Sequence, residues 1–118
     1  MRKRPYQDLI VWQEAHKLCV QVYMLTKNFP QDEKFGLISQ MRRSSYGIPM
    51  NIAEGNARRS KREHVHFIDI AIGSLEELHY QCVLAQALGY IDTKQLEKID
   101  ISVQKTGFLL SKIRSSLL

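Results

Sequence analysis

The last quarter of the chain constrains its fold most. Leu96, Ile99, Val103, Thr106, Leu110, Ile113 and Leu117 recur at intervals of three and four without a break. That rhythm is the seam of an amphipathic helix, which must bury one side against something else. Asp92 and Thr93 open this segment, and Lys112 and Arg114 near its end complement the helix dipole. Three earlier segments read the same way. The first spans about Asp8 to Asn28, with Trp12, Ala15, Cys19, Val22 and Thr26 on its seam. Asp8 is its expected cap, and Phe29-Pro30 its stop, because a residue before proline leaves the α region.

The second segment spans about Gln31 to Glu54, with Leu37, Met41, Ser44, Ile48 and Ile52 on its seam. Pro49 lies inside it and cannot donate to the Ser45 carbonyl. The apolar rhythm continues past the proline, so one kinked helix is expected rather than two. The third opens at Ser60, with Glu63 at capping-box spacing. Phe67, Ala71, Ser74, Leu78, Gln81, Ala85 and Leu88 follow, and Gly89 is placed as the left-handed end cap. Four helices with short connections predict an all-α fold, an antiparallel up-down-up-down four-helix bundle. A chain of 118 residues with 44% hydrophobic content is expected to form it as a single domain, residues 1–118.

No apolar run is long enough for a membrane span, and no apolar stretch follows the basic start Met1-Arg2-Lys3-Arg4. The two cysteines, Cys19 and Cys82, suggest no disulfide framework. A cytoplasmic protein with reduced thiols is expected. The first helix carries more apolar surface than one seam uses. Leu9, Ile10, Val20 and Met24 fall on the side away from the core, which predicts self-association.

Chemistry is scarce. Glu63 with His66 and Glu76 with His79 have the Glu-x-x-His spacing of carboxylate metal bundles. Both pairs lie on one helix about 20 Å apart, so they cannot meet in one subunit. Neither cysteine has a neighbour that would activate it, and no glycine-rich phosphate loop or nucleophile elbow is present. No catalytic residue, cofactor or metal is predicted. Asn51 and Glu54 flank apolar Ile52 and Ala53, and a charge near a core needs a partner. With Ser74 and Glu77 they are read as a polar network fixing helix register, Arg43 and Ser74 being candidate partners. The alternative reading is a functional site.

The net charge is +5 and the pI about 9.4. Arg42 and Arg43 sit in the second helix, and Arg58, Arg59, Lys61 and Arg62 crowd the connection to the third. Cations there oppose the dipole of the third helix, a mild cost that fits a corner kept for a ligand. These six are the candidate phosphate contacts of a nucleic-acid-binding surface. The plainer alternative is a solvated basic face.

Several segments together resemble a known family. They are Asp8-Leu9 with Trp12, Phe29-Pro30 with Glu33 and Leu37, and Gln40-Met41-Arg42-Arg43. Then come Ile48-Pro49 with Asn51-Ile52-Ala53-Glu54-Gly55, Arg58 with Ser60, Ala71, Gly73-Ser74-Leu75 with Glu77-Leu78, and Leu88-Gly89-Tyr90-Ile91. The chain resembles the four-helix bundles encoded in intervening sequences of bacterial 23S ribosomal RNA genes. The resemblance implies a homopentameric ring. It extends to the accessory protein of diversity-generating retroelements, a basic barrel that binds nucleic acid and a reverse transcriptase. It carries over to Arg42, Arg43 and Arg58 residue by residue, whereas Arg59, Lys61 and Arg62 rest on local charge. The expectation is a non-enzymatic homo-oligomer, pentameric by resemblance, that binds RNA or other nucleic acid. The alternative is a protein-interaction scaffold, with a partner such as a reverse transcriptase.

Overall fold

A computed structural model describes all residues, Met1–Leu118. Four helices carry the fold: α1 (Ile10–Thr26), α2 (Leu37–Asn56), α3 (Lys61–Ala87) and α4 (Thr93–Ser116). Single 3-10 turns precede α1 (Pro5–Asp8) and α2 (Gln31–Glu33). Helix α1 packs on α2 and α4, α2 on α3, and α3 on α4. Consecutive helices are antiparallel, so the four close into an up-down-up-down bundle with no strand.

The core follows the rhythm of the sequence, with two displacements. On α4 the buried seam is Ile99, Val103, Thr106 and Leu110, as expected, with Leu96, Ile113 and Leu117 packed at its edges. On α1 the centre is Val11, Ala15, Leu18 and Val22, and Trp12 and Cys19 lie one step towards the rim. On α3 it is Ile68, Ala71, Leu75, Leu78, Cys82 and Ala85. The expected Phe67, Ser74 and Gln81 are only half-buried, and Leu88 is exposed. A one-residue offset turns a helical face by about 100°, so a seam chosen on the wrong side of a broad apolar stripe lands on its flank.

The helix ends show where local chemistry decides. Ser60 Oγ accepts from the Glu63 amide at 3.1 Å and starts α3. Asp92 accepts from the Gln95 amide at 2.8 Å, and the Gln95 side chain accepts from the Asp92 amide, a reciprocal box that starts α4. At the end of α3, Gly89 takes φ +78°. Its amide donates to the Gln86 carbonyl and the Tyr90 amide to Ala85, both at 2.9 Å, which is a Schellman turn.

Asp8 does not cap α1. It lies in the preceding 3-10 turn and pairs with Lys3 at 2.7 Å, and Leu9 occupies the cap position without a side-chain bond. Helix α2 starts at Leu37 rather than near Gln31, because Gly36 (φ −109°, ψ −113°) interrupts the turn before it. Glu33 bridges that break. Its Oε1 accepts from the Leu37 amide at 3.2 Å, and its Oε2 accepts from the Tyr90 hydroxyl at 2.7 Å. That second bond raises the Tyr90 pKa and ties together the two connections at one end of the bundle. Pro49 is buried within α2, which continues through it to Asn56 as one helix.

Candidate nucleic-acid interface

The opposite end of the bundle holds both chain termini and the α2–α3 connection. Arg59 lies in that connection, and Lys61 and Arg62 in the first turn of α3. All three are exposed, and none reaches a carboxylate. Arg58 is partly engaged. It forms an i,i+4 ion pair with Glu54, and its guanidinium lies 4.9 Å from the centre of the Phe67 ring. The corner therefore offers three uncommitted cations and one shared with Glu54.

The other two candidate cations lie about 20 Å back along α2 and differ from each other. Arg43 is exposed without a carboxylate partner. It borders a polar groove of about 420 Å³ between α2 and α3, with Gln40, Asn51, Ser74 and Glu77. Arg42 turns inward. Its Nε donates to Thr26 Oγ1 at 3.0 Å, and its guanidinium stacks 4.6 Å from the Tyr23 ring centre. Thr26 in turn donates to the Val22 carbonyl at 2.8 Å. Arg42 thus closes the carbonyl end of α1, where a cation is favoured by the dipole. Helical position alone cannot reveal a partner sixteen residues away, so this role is not legible along the chain.

The expected polar network separates in the same way. Asn51 Nδ2 donates to the Gly47 carbonyl at 2.7 Å within its own helix. Ser74 and Glu77 share the groove beside it, with no hydrogen bond joining Asn51, Ser74 and Glu77. Glu54 stands apart. Its side chain is 49% exposed, and its partner is Arg58 rather than Arg43 or Ser74. Glu54 neighbours Ile52 and Ala53 along the chain, which predicts a place near the core, yet its position on the helix faces solvent.

Little else is chemically poised. No three His, Cys, Asp or Glu side chains converge as a metal site would need. His79 faces Asp100 at 4.0 Å between α3 and α4. Burial, with the Asp100 charge second, pushes the nearby Cys82 thiol up to about 12, so its reactive thiolate is scarce near neutral pH. One further cation at the basic end comes from the basic start of the chain, whose place beside the corner is not legible from spacing alone. Arg4 lies beside Glu54, Asn56 and Ala57. Bundle topology was the available signal, because an up-down-up-down chain brings its first residues to the same end as the second connection.

The fold and this cationic end define an all-α four-helix bundle with a basic pole. Within that class the family is clear: residues 7–112 match the model of the 23S rRNA-intervening sequence proteins, and the chain belongs to that family. A solved structure of similar fold is a protein of unknown function from the S23 ribosomal protein family of Bacteroides thetaiotaomicron VPI-5482. It superposes with a TM-score of 0.80 at 24% identity, over 89% of this chain and 98% of that one. No curated protein is similar enough to match. No helix is long and apolar enough to cross a membrane.

Proposed function

We propose that the protein is a non-enzymatic, cytoplasmic homo-oligomer that binds RNA or another nucleic acid through its basic pole. The observation that carries this reading is the group Arg59, Lys61 and Arg62, exposed and unpaired beside Arg58. Cations free of carboxylates release condensed counterions when they meet phosphate, which drives sequence-independent binding. Arg43 adds to the surface, and Arg42 acts as a structural group. Replacing Arg58, Arg59, Lys61 and Arg62 together with glutamine tests the assignment. Structured RNA should then bind more weakly and with a shallower salt dependence, while helicity stays intact. Unchanged affinity rejects the corner as the contact.

Self-association is supported by apolar side chains left outside the bundle. Ile10, Val20 and Met24 on α1 are exposed, as are Ile101 (71%) and Phe108 (68%) on α4. The Glu14–Lys105 ion pair (3.1 Å) sets α1 and α4 side by side. This puts Phe108 level with Ile10, and Ile101 within a turn of Val20. A second copy of this chain is the proposed occupant, with the pentamer of the family resemblance as the expected closure. Sedimentation of the wild type against Ile101→Lys/Phe108→Lys tests it: the wild type should be oligomeric and the variant reduced to a monomer. The second reading, a scaffold for another protein, draws on the same apolar surface. A protein partner retained after nuclease treatment would favour it.

A further inference from the structure

A wide concavity lies beside the basic corner. A cleft of about 630 Å³ opens between the N-terminal turn, the first half of α1 and the second half of α2. Its wall is aromatic. The His16 ring lies flat on Trp12, with centroids 4.9 Å apart and 6° between planes. Tyr6 meets Trp12 edge-on at 5.1 Å. Exposed Tyr46 and Met50 line the α2 side. Arg4, which has no ion-pair partner, stands at the same cleft; Glu54 also lines it, its carboxylate paired with Arg58, and Asn56 adds an amide.

Flat rings, a thioether, an amide and a guanidinium within one open slot suit a planar heteroaromatic that carries a phosphate. An aliphatic ligand would make no use of the parallel rings. A duplex could not enter, because its bases are stacked and paired. We propose that this cleft takes one unpaired nucleobase of a single-stranded polynucleotide, stacked against His16 and Tyr46, with an adjoining phosphate on Arg4. The inference rests on the nucleic-acid reading above and adds a preference for unpaired over paired strands.

Trp12 is the chain's one tryptophan, so its emission reports on the cleft directly. A short oligouridine or its deoxy counterpart should quench it, the stronger of the two identifying the sugar. An abasic chain of equal charge should not quench it. His16→Ala and Tyr46→Ala remove exposed side chains and should leave the fold intact. Each should weaken oligouridine binding roughly tenfold and leave binding of duplex RNA unchanged. If anisotropy detects the abasic chain binding as tightly as oligouridine, with Trp12 emission unmoved, the cleft assignment fails and the basic-corner reading stands. If no polynucleotide binds at about 50 mM salt, both fail.

Discussion

Gly55 and His64 touch where α2 and α3 converge. A Cβ placed on Gly55 would lie 3.0 Å from both His64 Cδ2 and Phe67 Cβ, and 3.2 Å from the His64 carbonyl oxygen. Two of those three atoms are backbone or directly attached to it, so they cannot swing aside. Close approach of the helices at this point depends on the missing side chain.

Gly55→Ala should therefore lower stability by about 1–3 kcal/mol, as overpacking does. Gly47→Ala is tight only against the Ser74 hydroxyl, at 3.1 Å, which can rotate away, with Ser74 Cβ in ordinary contact at 3.7 Å, so its unfolding free energy should stay within about 1 kcal/mol of wild type. Gly73 has open space around its Cβ position. Gly73→Ala should stabilise by about 0.5–1 kcal/mol through helix propensity alone. Urea unfolding midpoints rank the three.

Stability should fall as pH drops through and below the ordinary histidine range, partly through His64. Desolvation lowers its pKa in the folded chain, and its Nε2 is buried without a hydrogen-bond partner. The unfolded chain then takes up a proton first as pH falls. The contribution is complete above the unfolded pKa and is lost as pH descends through the folded one. His64→Leu should flatten this part of the pH–stability profile. An unchanged slope would place its origin elsewhere.

Thr26→Val should cost about 1–2 kcal/mol, because it removes the acceptor of a partly buried charge-assisted bond and leaves the Arg42 guanidinium short of a partner. Arg42→Lys should not restore wild-type stability, since an ammonium lacks the planar face that stacks on Tyr23. Arg42→Gln should change RNA affinity less than Arg59→Gln does. Calorimetry and filter binding on the same variants separate the two effects.

Glu54→Ala should cost about 0.3–0.5 kcal/mol, the worth of an exposed i,i+4 pair. It frees Arg58, so RNA should bind the variant more tightly than wild type. A large drop in thermal midpoint would mean that Glu54 holds more than Arg58.

What the sequence made legible was governed by neighbours along the chain. Ser60, Asp92 and Gly89 could be placed because caps act over three to six residues, and the α4 seam because its apolar stripe is narrow. Asp8 misled because a 3-10 turn with Pro5 at its start intervenes before α1. The partners of Arg42 and Glu54 are hidden for one reason: the identity of a side chain's partner depends on helix rotation and on residues distant in sequence. The aromatic cleft was invisible for the same cause, being assembled from the N-terminal turn and two helices.

The Tyr90–Glu33 bond seals one end of the subunit, while the other carries the arginines and the open cleft. Copies arranged in a circle with their long axes parallel to its symmetry axis would form a ring with two unlike rims. A polyanion would meet the arginine cluster and the open cleft at only one of them. Such a ring would be a one-sided seat, leaving its far rim available for a different neighbour.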